Sequence, residues 1–280
     1  MCSLYEKTIQ TLAKAKIQSP CLEARLLIAD ALGIAPDDVC GQTVLTEDIS
    51  TKLEQNIQKR LEGMPLDKIL GRKGFYKYDF TVSEDVLSPR PDTEILLESA
   101  LEIAHANQFQ NVLELGVGSG CILLSIACEI LHIQCVGIDI SSKALNIARQ
   151  NAQRLNVDNR CRLICKSWFD DDLVETFGMR FDMVVSNPPY IKTGDISKLD
   201  VSVQKYDPFI ALDGGKDGLK HYARIAEIAP KLLKKGGYIL LEIGFGQSED
   251  VCRIFETAGL KHIKTLRDLA DIERVLVFQM

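Results

Sequence analysis

Short apolar runs of strand length alternate with helix-length segments from about Asn111 to the end of the chain. Seven such runs are NVLEL, CVGID, CRLIC, FDMVVS, GYILLEI, LKHIKTL and ERVLVF. Because helical segments separate most of them, they predict a Rossmann-like, largely parallel α/β sheet of seven strands with helices on both faces. The last two runs are joined only by RDLADI, which is too short for a crossover helix, so we expect this pair to be antiparallel.

The N-terminal part of the chain has a helical period instead. An apolar stripe at helix spacing is formed by Ile49, Leu53, Ile57 and Leu61. From Phe75 the sequence FYKYDFTV alternates aromatic and polar residues, which predicts a short strand or hairpin. We therefore expect a helical bundle at 1–73, a hairpin linker at 74–91 and the sheet domain at 92–280.

Composition and charge exclude several classes of function. The formal net charge is -6 and no long basic tract is present, which argues against stable nucleic-acid binding. The N-terminus has no signal-peptide core, and no apolar stretch approaches the ~20 residues of a membrane span. The nine cysteines are scattered singly and the four histidines form no metal motif. These features predict a cytoplasmic protein with reduced thiols, no membrane segment and no metal.

A glycine-rich turn follows the first strand. It comprises Gly116, Val117, Gly118, Ser119 and Gly120, and an apolar segment suited to a helix comes next. Such glycines allow a tight turn that brings a ligand close to backbone N–H groups at a helix N-terminus. Cys121 stands where the dinucleotide fingerprint requires its third glycine, which disfavours nicotinamide and flavin dinucleotides. The turn is either a cofactor site or purely structural.

The second strand ends on an acidic residue, Asp139, about 20 residues after the glycines. A carboxylate at this strand end can accept hydrogen bonds from two ribose hydroxyls. The alternative is that Asp139 caps the following helix. Ser141 can supply that cap alone, which leaves Asp139 for the ribose, and we favour this interpretation.

The fourth strand stops abruptly at Asn187-Pro188-Pro189-Tyr190. Two prolines prevent the chain from continuing as a strand or entering a helix interior. One interpretation is a rigid turn. The other is a fixed cradle for a planar amine.

Together these motifs resemble class I S-adenosylmethionine-dependent methyltransferases that act on a planar nitrogen. Other segments narrow the resemblance to the release-factor glutamine methyltransferases of the HemK/PrmC type; these are residues 63–98, SWF at 167–169, DPFIALDGGKDGL at 207–219, LEIGFGQ at 241–247 and ERV at 273–275. The resemblance implies that Gly116 to Gly120, Asp139 and Asn187 bind S-adenosylmethionine, with Trp168 beside the adenine. Core packing is the alternative for a single tryptophan after a strand.

The resemblance also implies the reaction, which is methylation of the glutamine in the Gly-Gly-Gln motif of bacterial-type peptide-chain release factors. The Asn187 side-chain oxygen and the Pro188 carbonyl would each accept one N–H of the amide. Pro188 and Pro189 stiffen these acceptors, and Tyr190 would pack on the flat amide. The amide nitrogen is a poor nucleophile, so positioning would supply the rate without a catalytic base. The helical N-terminus would dock the protein substrate, and we expect a monomer.

Two other functions compete with this one. An adenine amino-methyltransferase on DNA or RNA could use the same Asn-Pro-Pro-Tyr geometry, but the acidic balance of the chain counts against it. A nucleotide-binding scaffold without catalysis would need the glycine turn but not the Asn-Pro-Pro-Tyr segment, and we disfavour it because the sequence has both. Two details stay open: Ser167 stands where many relatives have Asp, and Arg90 to Glu94 either line the cofactor mouth or cap the next helix.

Overall fold

The computed structural model describes residues 4–39 and 46–280. The chain divides into two compact units. The N-terminal unit contains the described part of Met1–Gly71 together with Val201–Tyr206, and the sheet unit contains Arg72–Asp200 and Asp207–Met280. The sequence did not suggest that 201–206 would group with the N-terminal residues. The boundaries at 73 and 91 stay a prediction.

The helices of the described residues follow in chain order. They are α1 (Leu4–Lys14), α2 (Pro20–Leu32), α3 (Glu47–Leu61), α4 (Leu66–Leu70), α5 (Thr93–Asn107), α6 (Cys121–Glu129), α7 (Ser142–Arg154), α8 (Leu173–Phe177), α9 (Val201–Tyr206), α10 (Lys220–Leu232) and α11 (Ser248–Thr257). The strands are β1 (Arg72–Phe75), β2 (Tyr78–Thr81), β3 (Asn111–Leu115), β4 (Gln134–Asp139), β5 (Cys161–Cys165), β6 (Phe181–Ser186), β7 (Leu233–Glu242), β8 (Lys261–Arg267) and β9 (Glu273–Gln279). No described helix has both the length and the apolar character that crossing a membrane requires.

The N-terminal unit is helical, as predicted. Helix α2 begins with Pro20 at its first position and ends at Gly33, whose φ of +67° gives the left-handed C-cap that glycine adopts without strain. Leu53 of the predicted stripe is buried, and Ile49 and Ile57 pack against the same core. Leu61, at the end of α3, is exposed instead.

The sheet unit contains the predicted seven-stranded sheet, in the order β5-β4-β3-β6-β7-β9-β8. The strands from β3 to β7 pair in parallel, and β9 is antiparallel to both β7 and β8. Both sheet faces are covered, since the neighbouring residues Val112 and Leu113 are fully buried in different core clusters. The fold class and the antiparallel final pair are therefore confirmed. The insertion of β9 between β7 and β8 was not predicted.

The strand order fixes where a ligand can bind. The chain proceeds from β3 outward to β4 and β5, then returns to place β6 on the other side of β3. Such a switch point opens a crevice beyond the carboxyl ends of the strands. Here β3 leads into the glycine turn, β4 ends on Asp139, and β6 is followed directly by Asn187.

The predicted hairpin forms from β1 and β2, which pair antiparallel. Phe75 and Phe80 are buried, and their rings meet edge to face at 6.2 Å between centroids. The side-chain amide of Asn151 on α7 pairs with the backbone of Thr81 in both directions, at 2.7 and 3.0 Å. The same amide donates to the Ser119 carbonyl at 2.9 Å, so it ties the hairpin to the glycine turn.

Candidate active site

The glycine turn has a backbone that only glycine adopts readily. Gly116, Gly118 and Gly120 have φ angles of +83°, +53° and +84°. A side chain on Gly120 would also meet Leu124, because its Cβ would lie 2.7 Å from the Cδ1 atom of that residue. Four of the five turn N–H groups donate within the protein, and Ser119 N–H is left without a partner among the described residues. The turn therefore offers a ligand close approach and one backbone donor.

A cavity of about 410 Å³ lies beyond the carboxyl ends of β3, β4 and β6. The predicted site residues that line it are Gly116, Val117, Gly118, Ser119, Asp139, Trp168, Asn187 and Pro189. Gly120, Pro188 and Tyr190 are not among its lining residues. Most of the predicted site residues thus share one cavity.

Asp139 is already engaged by the protein. Its Oδ1 atom accepts from Ser141 N–H at 2.8 Å, and its Oδ2 atom accepts from Gly118 N–H at 2.9 Å. The predicted ribose contact of Asp139 would therefore add to two protein hydrogen bonds, and it stays a prediction. Burial raises the pKa of this carboxyl group, and the two backbone hydrogen bonds oppose that rise. Each oxygen keeps acceptor capacity for a further donor. The cap of α7 is supplied by Ser141 Oγ, which accepts from Ala144 N–H at 3.1 Å, as predicted.

Glu114 is a site residue to which the sequence analysis gave no role. It is buried in β3, lines the cavity, and accepts from Leu123 N–H at 3.0 Å. Burial holds the pKa of its carboxyl group well above the usual value. The sequence carried one signal for Glu114, which is an acidic residue inside the apolar run NVLEL. Acidic side chains are almost never fully buried unless they are paired.

Trp168 is held in place by His221. The indole Nε1–H donates to His221 Nδ1 at 3.1 Å, so the other ring nitrogen carries the hydrogen and donates to the Asp213 carbonyl at 3.0 Å. Burial lowers the pKa of His221, which keeps the ring neutral. A Cβ on Gly116 would lie 3.2 Å from the indole. Trp168 both packs against the core and lines the cavity, so core packing does not exclude its predicted place beside the adenine.

Asn187 begins a buried chain of hydrogen bonds. Its Nδ2 atom donates to Thr93 Oγ1 at 3.3 Å, and Thr93 Oγ1 donates to Glu242 Oε2 at 2.6 Å. Its Oδ1 atom accepts no hydrogen bond from residues 4–39 or 46–280. Burial raises the pKa of Glu242 to about 7. Sequence reasoning missed Glu242, although it ends an apolar strand just as Asp139 does.

The Asn-Pro-Pro-Tyr segment is also fixed from its far end. Gln247 Nε2 donates to the Tyr190 carbonyl at 3.0 Å, while Gln247 Oε1 accepts from Gly244 N–H at 2.9 Å. A Cβ on Gly244 would lie 2.9 Å from Tyr190 Cδ2, so the tyrosine ring packs on this glycine. Burial raises the pKa of the Tyr190 hydroxyl.

Two residues of the segment from Arg90 to Glu94 line the cavity, whereas the segment makes no side-chain cap of α5. Arg90 lines the cavity and pairs with Asp207 at 2.8 Å, and Thr93 lines it too. Asp92 precedes α5 without making a side-chain cap bond and pairs with Arg274 at 3.1 Å. Glu94 accepts from Tyr76 N–H at 2.9 Å. Ser167 also lines the cavity, and its hydroxyl accepts from Phe169 N–H at 3.1 Å.

No group of three or more His, Cys, Asp or Glu side chains in the described ranges is arranged to hold a metal ion. The cavity wall offers backbone and side-chain nitrogen and oxygen atoms as hydrogen-bond partners for a ligand.

Comparison with known proteins gives the family. Residues 3–71 match the family model described as PrmC N-terminal domain, and residues 91–204 match the methyltransferase small domain. The release factor glutamine methyltransferase of Agrobacterium fabrum is 38% identical over 274 residues, covering 96% of this chain and 93% of that protein. The chain belongs to the release factor glutamine methyltransferase family. The Geobacter sulfurreducens member is 39% identical over 272 residues, covering 95% of this chain and 91% of its own.

A solved structure supports the fold alone. The hMettl16 catalytic domain in complex with MAT2A 3′UTR hairpin 6 aligns with a TM-score of 0.57 over 90% of this chain and 91% of that chain, at 13% identity. The family resemblance and the methyltransferase fold expected from the sequence are confirmed.

The cofactor of this family is S-adenosylmethionine, and the cavity fits it. The volume of about 410 Å³ is that of a small-molecule site. Ser88 lines the cavity, and its buried Oγ atom has no hydrogen-bond partner among the described residues. Such an orphaned hydroxyl is normally satisfied by a ligand or water. Gly116 leaves open the space that a side chain would fill beside Trp168.

Proposed function

We propose that this protein methylates the side-chain amide nitrogen of the glutamine in the Gly-Gly-Gln motif of bacterial-type peptide-chain release factors. One observation carries the proposal. The glycine turn, Asp139 and Asn187 line the same cavity. The Asn187 amide nitrogen donates to Thr93, and its Oδ1 atom has no donor among the described residues. A cofactor site and an amide acceptor therefore share one space.

Asp139 and Trp168 would hold the nucleoside part of S-adenosylmethionine. The remaining acceptor capacity of the Asp139 carboxylate suits two ribose hydroxyls, and the Trp168 face suits the flat adenine. Ser119 N–H and Ser88 Oγ add hydrogen-bond donors on the wall. When bound, the cofactor supplies an electrophilic methyl group on its sulfonium.

Asn187 and Pro188 would position the substrate amide. Asn187 Oδ1 and the Pro188 carbonyl each accept one N–H, which holds the nitrogen and directs its lone pair. Holding a reactant in its reactive geometry can lower the barrier by about 7–11 kcal/mol, so a poor nucleophile can react before it is deprotonated, and the methylated amide then loses one proton. His221 lines the cavity but cannot act as a base, because Trp168 Nε1–H occupies its Nδ1 lone pair.

Pro189 and Tyr190 would keep these acceptors rigid. The proline ring fixes φ, and the Gln247 hydrogen bond fixes the Tyr190 carbonyl. Because Tyr190 is not among the lining residues, its contact with the substrate amide remains a prediction.

The N-terminal unit would dock the release factor. Its match to the PrmC N-terminal domain supports this role. Remote contacts on a protein substrate contribute binding free energy that helps to orient the reacting group. A monomeric enzyme in the cytoplasm, without stable nucleic-acid binding, remains our prediction.

Methyl transfer from labelled S-adenosylmethionine tests the proposal. The protein is incubated separately with a bacterial-type release factor, with the same factor carrying Asn in place of the Gly-Gly-Gln glutamine, and with nucleic acid. We expect label only in the first sample, because the shorter side chain misplaces the amide by over about 1 Å, which can cost about 100-fold in rate. Label in nucleic acid and none in the release factor would favour an adenine amino-methyltransferase instead.

A further inference from the structure

The side chains of Thr93 and Glu242 form a buried hydrogen-bond chain behind Asn187. We infer that Thr93 and Glu242 are positioning residues that fix the orientation of the Asn187 side-chain amide, so that its Oδ1 atom faces the substrate. This inference rests on the proposed function of the same site. It concerns two residues from distant parts of the sequence that meet beside Asn187.

The chain is built from the ends of three elements. Thr93 is the first residue of α5, Glu242 is the last residue of β7, and Asn187 directly follows β6. Thr93 and Glu242 are only 2% and 3% exposed, so water does not replace their mutual contact. The separation of 2.6 Å between Thr93 Oγ1 and Glu242 Oε2 is that of a strong hydrogen bond to a carboxylate.

The hydrogen count determines which way Asn187 faces. A threonine hydroxyl has one hydrogen, and the ionised carboxylate of Glu242, which predominates above about pH 7, can only accept. Once Thr93 donates to Glu242, its oxygen can only accept from Asn187, so the NH2 group must face Thr93. The opposite amide orientation would place two oxygen acceptors together without a hydrogen between them. The Oδ1 atom is thereby directed away from Thr93, where it can accept from a substrate amide.

Stability alone does not account for Glu242. No Lys or Arg lies within ion-pair distance of its carboxylate among the described residues, and the nearby Arg274 pairs with Asp92 and Asp268 instead. Burying a carboxylate without a cation is costly, and an apolar residue would fill the same volume at less cost. A role in holding Thr93 and Asn187 explains its presence.

Thr93→Val is the direct test, because valine keeps the shape of threonine and removes both hydrogen bonds. We expect the single-turnover rate on a release factor to fall about 10- to 100-fold, while the cofactor dissociation constant changes less than about 3-fold. Thr93→Ser, which keeps the hydroxyl, should restore most of the rate. Glu242→Gln is a second variant, because its amide can donate to Thr93 and release the threonine hydrogen toward Asn187; it should also lower the rate.

A double-mutant cycle separates positioning from a structural effect. If Thr93 acts through Asn187, Thr93→Val should cost less than about 2-fold when added to Asn187→Ala. A full, additive loss in the Asn187→Ala background would overturn the inference, as would a wild-type rate for Thr93→Val.

A spectroscopic measurement makes the test independent of activity. The 15N–1H signals of the Asn187 side-chain amide can be assigned in the full-length protein by their loss in Asn187→Ala. In Thr93→Val these signals should shift and their hydrogens should exchange faster with solvent, and in Thr93→Ser they should return toward wild type. Unchanged signals in Thr93→Val would refute the inference. Failure of the wild-type protein to methylate a release factor would instead refute the proposed function, and the signals would still report on Thr93.

Discussion

The buried carboxyl group of Glu242 should make the stability of the sheet unit depend on pH. Burial raises its pKa from 4.5 to about 7, and the hydrogen bond from Thr93 only partly opposes this rise. Between pH 4.5 and about 7 the folded protein therefore binds more protons at this position than the unfolded chain does. The free energy of unfolding must fall as the pH rises through that window.

The size of the effect follows from the size of the shift. At 1.36 kcal/mol for each pKa unit, a rise from 4.5 to about 7 corresponds to a loss of about 3 kcal/mol, complete above pH 7. Glu242→Gln cannot ionise and escapes this loss. Relative to wild type, the variant should therefore gain up to about 3 kcal/mol between pH 5 and pH 8.

Urea denaturation at pH 5, 6, 7 and 8 measures the difference. Trp168 is the single tryptophan and lies in the same unit as Glu242, so its fluorescence follows the unfolding of that unit. Unfolding midpoints of the two proteins should diverge steadily in favour of Glu242→Gln as the pH rises. A constant difference across this range would show that Glu242 is not a buried group of raised pKa.

Three further predictions concern the site. Asp139→Ala should weaken S-adenosylmethionine binding about 10- to 150-fold by titration calorimetry, because charge-assisted hydrogen bonds of about 1.5–3 kcal/mol are lost; unchanged affinity would contradict the ribose role. Asn187→Ala should lower the single-turnover rate about 100-fold or more with little change in cofactor affinity, whereas a wild-type rate would show that the Asn-Pro-Pro-Tyr segment serves only as a turn. Protonation of His221 would put a hydrogen on Nδ1 opposite Trp168 Nε1–H, so cofactor affinity should fall at acidic pH, below the ordinary histidine pKa of 6.5, and His221→Phe should remove that dependence.

Local sequence patterns were sufficient for most of the fold. NVLEL coincides with β3, and the aromatic alternation in FYKYDFTV gave the hairpin of β1 and β2. These elements depend on side-chain period and turn residues within a few positions. The insertion of β9 could not be read this way, because it depends on pairings such as Tyr238 with Gln279 that lie 41 residues apart in the sequence.

The same contrast between local and long-range features applies to the site. The glycine turn and Asn187 directly follow strands and Asp139 ends one, so a rule about the carboxyl ends of strands found all three. The partners that orient them are remote in sequence: Thr93 and Glu242 are 149 residues apart, and 53 residues separate Trp168 from His221. No motif spacing predicts such contacts. Even so, Glu114 and Glu242 carried a local signal as acidic residues within buried apolar strands.

Mass spectrometry of the Gly-Gly-Gln peptide tests the central claim most directly. The peptide is isolated from a whole bacterial-type release factor after incubation with this protein and S-adenosylmethionine, with Asn187→Ala as the matched control. The account predicts a mass gain of one methyl group on the glutamine side chain with the wild-type protein and little or none with the variant. An unmodified glutamine, found together with methylated adenine in a parallel nucleic-acid sample, would contradict it.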